Sequence, residues 1–113
     1  MYDIHIFSER DISVEDNRYE WDDKKNEENI DNHNVSFDEA KDVFSDSYAL
    51  ARADDKHSVA EKRYLIVGKI QDGRVITVCF THRESRIRLI SAQERRKERE
   101  AYEKQFKKKK KGE

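Results

Sequence analysis

The 113-residue sequence contains no proline, three glycines and one cysteine. Because proline and glycine interrupt helices, their scarcity allows long helices. A single cysteine excludes internal disulfides and cysteine-rich zinc sites. No apolar run approaches the roughly 20 residues of a membrane span, and the N-terminus lacks the basic and long apolar segments of a signal peptide. We therefore expect a cytoplasmic protein without membrane contact.

Charge is abundant and unevenly distributed. Charged residues make up 43% of the chain, against roughly 25% in typical globular proteins. Residues 1–60 hold 7 Lys/Arg against 17 Asp/Glu, a net charge of −10, and residues 61–113 hold 17 against 8, a net charge of +9. The second half can therefore present an anion-binding face. Alternatively, the two halves neutralise each other within the fold.

The second half contains three apolar, β-branched runs separated by short polar turns, at residues 63–70, 75–81 and 86–91. Asp72 and Gly73 form a dipeptide typical of tight hairpins. These runs predict an antiparallel meander, with a further strand at residues 48–51. Because side chains alternate along a strand, Arg86 and Arg88 should share one face. Two neighbouring guanidinium groups favour an anion between them.

Helix signals lie on both sides of the meander. Asp22 is a predicted N-cap for a polar surface helix, which we expect Trp21 and Ile30 to dock. Ser36 and Glu39 form a capping box that predicts a second helix, with the core-facing stripe Phe37, Ala40, Val43 and Phe44. Ser91 with Glu94 forms a second capping box, which predicts a C-terminal helix from about residue 92.

These elements predict one α+β domain, in which two N-terminal helices and one C-terminal helix pack on an antiparallel sheet of three to four strands. Residues 19–21 add a short strand or anchor. Tyr2, Ile4 and Ile6 suggest a short strand within an extension at residues 1–18. The lysine run from residue 107 to the end should repel itself and form a basic, disordered tail.

Several kinds of chemistry are poorly supported. The four histidines are scattered, which argues against a metal site, and no glycine-rich phosphate loop is present. Cys79 lies inside an apolar strand, where a buried structural thiol is expected. The remaining acids, bases and cations gather around the predicted sheet: His57, Glu61, Arg63, Arg83, Arg86 and Arg88.

This set suits RNA cleavage by the RNA's own 2′-hydroxyl, without a metal or cofactor. Glu61 or His57 would act as base or acid. Arg63, Arg86 and Arg88 would stabilise the charge on the phosphorane. The same pattern is also typical of a solvated sheet face with ordinary ion pairs.

The chain resembles the BrnT family of toxins over residues 19–106. The similarity is carried by Tyr19-Glu20-Trp21-Asp22 with Lys25 and Asn29, His33-Asn34-Val35-Ser36-Phe37-Asp38-Glu39-Ala40, His57-Ser58, Glu61, Arg63-Tyr64, Gly68, and Arg86-Ile87-Arg88-Leu89-Ile90-Ser91-Ala92. The resemblance implies a RelE-like fold and a ribonuclease toxin that inhibits translation. It also implies a BrnA-type antitoxin as partner, with DNA contacted only through that antitoxin.

The resemblance adds Lys25 and His33 as candidate RNA-binding residues, although His33 can equally be a structural histidine at the end of the first helix. Asn34 stands where the family commonly has glycine, and it tolerates the same left-handed backbone. Gln93 replaces a common arginine, whose role would pass to Arg95 or Arg96. The competing hypothesis is a non-catalytic interaction module whose basic half docks an acidic partner.

Overall fold

The structure is a computed structural model and describes residues 18–112. Its five described strands form one mixed sheet in the order β1-β5-β4-β3-β2. They are β1 (Tyr19–Glu20), β2 (Leu50–Ala53), β3 (Arg63–Lys69), β4 (Val75–Arg83) and β5 (Arg86–Gln93). Strand β1 runs parallel to β5, and the other pairings are antiparallel. The predicted meander is confirmed, and the sheet has more strands than the three to four expected.

Three helices complete the α+β fold, as the sequence predicted. They are α1 (Asp23–His33), α2 (Phe37–Ala40), which continues as a 3-10 turn over Lys41–Ser45, and α3 (Arg96–Gly112). A second 3-10 turn covers Asp55–His57 between β2 and β3. Within the described chain, no helix is long and apolar enough to cross a membrane. The possible strand at Tyr2, Ile4 and Ile6 lies outside the described residues.

The two faces of the sheet are covered differently. One face carries the main core, where side chains such as Ile66, Val78 and Leu89 pack against α2 and its 3-10 extension. On the other face, Tyr102 of α3 packs on Leu50, Val67 and Val75. Helix α3 therefore covers one end of this second face, and the candidate site lies toward the other end.

Local sequence explains how the N-terminal helices begin. The Asp22 side chain accepts a hydrogen bond from the backbone N–H of Lys24 at 3.2 Å. Ser36 and Glu39 make both hydrogen bonds of a capping box, each at 3.0 Å. Both predicted helix starts are thus confirmed, since these side chains satisfy backbone donors that have no partner within the helix.

The second capping box does not form, so that prediction is wrong. Ser91 and Ala92 belong to β5, and α3 begins at Arg96. Ala92 pairs with Val78, and both its N–H and its carbonyl also bond to the Asn29 side chain. Sheet pairing together with this side chain fixes the backbone as extended, which outweighs the local helix signal.

Asn29, and not Ile30, docks α1. Asn29 is 6% exposed, whereas Ile30 is 42% exposed, so Ile30 is wrong as an anchor. Trp21, the other expected anchor, is partly buried and packs against the main core. The Asn29 amide donates to the carbonyls of Val35 and Ala92 at 2.8 and 2.7 Å, and its oxygen accepts from the Ala92 N–H at 3.0 Å. One buried amide therefore ties α1 to the end of β5.

Changing Asn29 to alanine should lower the free energy of unfolding by about 3 kcal/mol, because it leaves buried backbone groups without partners. Urea unfolding followed by circular dichroism measures the change. Asn32→Ala, an exposed exchange on the same helix, is the matched control and should stay within about 0.5 kcal/mol of the parent. Equal stability of the two variants would contradict this account of the docking.

Helix α3 also differs from expectation at its far end. It continues through the lysine run to Gly112, where a disordered tail was predicted. Phe106 packs on Tyr48 with ring centroids 4.7 Å apart, and Lys109 lies 6.0 Å above the same tyrosine ring. These contacts, together with the favourable position of lysine near a helix C-terminus, offset the repulsion between the charges.

Candidate active site

Five residues form what we call the arginine face, on the side of the sheet that α3 covers only in part: Arg63, Thr81, Arg83, Arg86 and Arg88. Arg63 lies opposite Thr81, which lies opposite Arg88, so the three form one row across β3, β4 and β5. Arg83 and Arg86 pair in the next row. Residues paired across neighbouring strands, and residues two positions apart in one strand, point to the same face of a sheet. All four arginine side chains therefore project from the same side. The predicted common face of Arg86 and Arg88 is confirmed.

Carboxylates already contact three of these arginines. Glu61 bridges Arg83 and Arg63, with nitrogen–oxygen distances of 3.3 and 3.9 Å. Arg88 donates to Glu20 at 2.8 Å. Glu20 and Glu61 are partly exposed, so these are not buried ion pairs that a ligand could not enter. The face therefore holds a carboxylate between Arg63 and Arg83 and a second one beside Arg88, whereas the anion expected between Arg86 and Arg88 is not among the contacts of the described residues.

His57 is held by a carboxylate that the sequence analysis missed. Its Nδ1 lies 3.0 and 3.2 Å from the two oxygens of Asp54. Asp54 is 7% exposed, whereas the imidazole is largely exposed. A carboxylate acceptor favours the tautomer with hydrogen on Nδ1, which leaves Nε2 to exchange protons with a ligand. The arrangement suits a general acid or base.

Backbone contacts place this pair beside the arginine face. The N–H of Asp54 donates to the carbonyl of Arg63 at 2.8 Å, so Asp54 extends the row that contains Arg63. The Ser58 hydroxyl donates to the Asp54 carbonyl at 2.6 Å and accepts from the Arg63 N–H at 2.9 Å. The turn that carries His57 is therefore fixed to the first residue of β3.

Cys79 lies at the centre of the same side of the sheet, opposite Leu65 and Ser91. Burial raises the pKa of its thiol, as does the negative charge of Asp54, while the charges of Arg63, Arg95 and Lys25 act in the opposite direction. A thiol with a raised pKa is a poor nucleophile, which fits the structural role predicted for it.

Three other predicted RNA-binding residues, His33, Arg95 and Arg96, lie outside the arginine face. Arg95 lies 3.7 Å from Glu98, whose side chain is 5% exposed and also lies 3.7 Å from Arg52. Arg96 pairs with Glu100 along α3 and is 84% exposed. His33 shares a shallow cavity with Lys25 at the edge of β5, so it is not part of the arginine face. Of the two arginines, Arg95 is the one whose positive charge acts on the Cys79 thiol.

The left-handed backbone expected at Asn34 is present, with φ of 56°. Within residues 18–112 no three His, Cys, Asp or Glu side chains are grouped so as to hold a metal ion. Sequence reasoning missed Asp54 and Glu20. The spacing of Asp54 and His57 could have suggested their pairing, but the contact between Glu20 and Arg88 joins residues 68 positions apart and leaves no local signal.

Comparison with known proteins adds independent information. Residues 21–99 match the family described as "Ribonuclease toxin, BrnT, of type II toxin-antitoxin system". The crystal structure of the Brucella abortus ribonuclease toxin BrnT is similar, with a TM-score of 0.49 and 22% identity over 66% of this chain and 91% of that chain. No protein of curated function matches. Because the family match covers well over half of the sequence, the chain belongs to the BrnT family of type II toxin–antitoxin ribonuclease toxins.

Proposed function

We propose that this chain is a cytoplasmic endoribonuclease that cleaves RNA without a metal ion and thereby inhibits translation. The observation that carries the proposal is the row Asp54, Arg63, Thr81 and Arg88, with His57 and Glu61 at one end. A row of this kind combines phosphate-binding cations with a positioned acid–base group. Those are the components that cleavage by a 2′-hydroxyl requires.

The arginines would act on the scissile phosphate. Adjacent strands are about 4.8 Å apart, so Arg63 and Arg88 begin roughly 10 Å from each other on either side of Thr81. Side chains of this length can converge on one phosphate, and guanidinium groups bind phosphate oxygens in pairs. As the phosphorane forms, these donors stabilise the added negative charge. An incoming phosphate would take the place of the carboxylates that now contact Arg63, Arg83 and Arg88.

The chemical step needs one base and one acid. The 2′-oxygen attacks phosphorus while its proton passes to the base, and the bond from phosphorus to the 5′-oxygen breaks as the acid protonates that oxygen. The products are a 2′,3′-cyclic phosphate and a 5′-hydroxyl. His57 and Glu61 supply the two groups, and either order of action fits their positions.

We further propose that a BrnA-type antitoxin neutralises the chain. The type II family implies an antitoxin partner. The arginine face already binds the chain's own carboxylates, and an acidic antitoxin segment could occupy the same positions and exclude RNA. DNA would be contacted only through that antitoxin.

RNA cleavage should persist in excess EDTA, and a 2′-deoxy substitution at the cleaved nucleotide should stop it, because the attacking oxygen is then missing. Gel analysis of labelled RNA, with enzymatic detection of the cyclic phosphate, measures both effects. A 2′-deoxy substitution several nucleotides away is the control. Loss of cleavage in EDTA, or cleavage of the 2′-deoxy substrate, would contradict the proposed mechanism.

The same assay distinguishes the proposed ribonuclease from the competing hypothesis of a non-catalytic interaction module. RNA that remains intact under all conditions, together with tight binding to an acidic protein partner, would identify a non-catalytic interaction module. Binding of this partner that depends on Arg63 and Arg88, without any RNA cleavage, would also support the interaction module.

A further inference from the structure

A cavity of about 300 Å³ lies between α3 and the hairpin that joins β3 to β4. It lies at the end of the sheet that α3 covers. Its apolar lining comes from Val75, Tyr102 and Phe106, and exposed Lys69 and Lys107 contribute ammonium groups. We call this feature the Phe106 cavity.

The chemistry of the Phe106 cavity suits a nucleobase with its flanking phosphates. Proteins that bind single-stranded nucleic acid combine aromatic rings, on which bases stack, with a positively charged groove that follows the backbone. Lys69 lies 5.2 Å above the Phe106 ring, so this face of the ring accepts a cationic neighbour, which a stacked base would displace. Gly73 borders the cavity, and a Cβ atom at this position would meet no other atom within 4 Å. The mouth of the cavity is therefore open on the side of Gly73.

Charge around the cavity favours an anionic ligand. Lys104, Lys107 and Lys108 are exposed on the last turns of α3. Glu103 is the carboxylate in the lining, and it opposes these charges. An acidic peptide would satisfy the lysines as RNA would, but it brings a flat ring to the aromatic lining only where it carries an aromatic side chain, whereas every nucleotide of RNA carries a base.

Strand β3 joins the cavity to the arginine face. Arg63 of the arginine face and Lys69 of the cavity lining are the two ends of this strand, six residues apart. At about 3.3 Å per strand residue this corresponds to roughly 20 Å. A single RNA strand can therefore contact both places at once.

We propose that the Phe106 cavity and the neighbouring lysines of α3 form a second, non-catalytic binding surface for single-stranded RNA. It holds the strand at a distance from the bond that is cleaved. This inference rests on the proposed RNA substrate. The surface contributes to affinity for long RNA and leaves the chemical step unchanged.

The test measures binding of a fluorescent, 2′-O-methyl RNA of about 12 nucleotides, a length within the usual site range of single-strand binders. Fluorescence anisotropy is recorded at several salt concentrations. Phe106→Leu should weaken binding about tenfold with little change in salt dependence, because a stacking contact is lost. Lys107→Gln should weaken binding and reduce the slope of log K against log salt by about 0.7, the value for one phosphate contact on a single strand.

Two further variants test whether the charge at the cavity sets the direction of the change in RNA affinity, and whether that change is specific to the cavity. Glu103→Gln should strengthen binding, since it removes the opposing charge. Lys24→Gln on α1 is the matched control for Lys107→Gln and should bind as the parent does. Thermal denaturation confirms that each variant is folded, and a dinucleotide substrate, too short to reach the cavity, should be cleaved equally by all of them.

Unchanged RNA affinity in both Phe106→Leu and Lys107→Gln would overturn the proposal. If these variants instead lose affinity for a polyglutamate peptide, the surface is a protein docking site and the proposal is also wrong. Because the 2′-O-methyl RNA cannot be cleaved, the binding result does not depend on catalysis. Failure of the parent to cleave any RNA would contradict the proposed function alone.

Discussion

Changing Arg63 and Arg86 together to alanine is expected to lower the rate of RNA cleavage by at least about 10³-fold, since one transition-state donor alone is often worth 10²–10³. Arg63 belongs to the central row of the arginine face, and Arg86 pairs with Arg83 in the next row. In the proposed mechanism, both would contact negative charge that grows as the phosphorane forms. The loss should therefore fall mainly on kcat, which single-turnover kinetics with saturating enzyme measures directly.

The control for this result must remove the same charge elsewhere. Lys24→Ala combined with Arg99→Ala also removes two positive charges, one from α1 and one from α3, and should keep cleavage within about threefold of the parent, as expected for general electrostatic attraction alone. Similar losses in the two double variants would show that net charge, and not the arginine face, governs activity. Arg63→Lys separates charge from geometry, because lysine cannot bind two phosphate oxygens in parallel.

The sequence predicted what depends on neighbouring residues. Period-two alternation placed Arg86 and Arg88 on one face, and Ser36 with Glu39 predicted the start of α2, because both patterns involve contacts within a few positions. The same local logic failed at Ser91, where strand pairing and the Asn29 side chain hold the backbone extended. Tertiary contacts there outweigh a capping signal worth about 1 kcal/mol.

The docking of α1 and the carboxylates of the site could not be predicted for a related reason. A buried asparagine is unusual, so sequence patterns favour the apolar Ile30 as an anchor, yet Asn29 satisfies three backbone groups that no apolar side chain could satisfy. Glu20 reaches Arg88 because β1 adds to the sheet in parallel beside β5. Such a pairing between distant segments has no counterpart in sequence periodicity.

Asp54 matters because it determines which nitrogen of His57 is available. Its carboxylate is buried and contacts Nδ1 with both oxygens, while Ser58 and the Arg63 backbone hold the turn in place. An exposed imidazole without such a partner would sample both tautomers and many orientations. We therefore assign Asp54 as a positioning residue for His57, by analogy with the carboxylate of a catalytic triad.

His57→Ala is expected to lower cleavage by about 10²–10⁴-fold, the usual contribution of general acid–base catalysis. Added imidazole should restore part of the activity, which it could not do if His57 were only structural. His82→Ala is the matched control, because His82 pairs with Ile87 on the opposite side of the sheet. Activity of His57→Ala equal to that of His82→Ala would remove His57 from the mechanism.

Asp54→Asn keeps the shape of the side chain. It therefore distinguishes a role of Asp54 in positioning the His57 ring from a role in folding. We expect a smaller loss than in His57→Ala, together with a changed tautomer balance, because an amide can donate to Nδ1 where the carboxylate only accepts. Nitrogen-15 shifts of the His57 ring report that balance directly, and urea unfolding reports stability. A parent-like ring spectrum with reduced activity would assign Asp54 a role other than positioning. A changed spectrum with full activity would show that Nε2 of His57 transfers no proton. A group other than His57 would then have to perform the second proton transfer alongside Glu61.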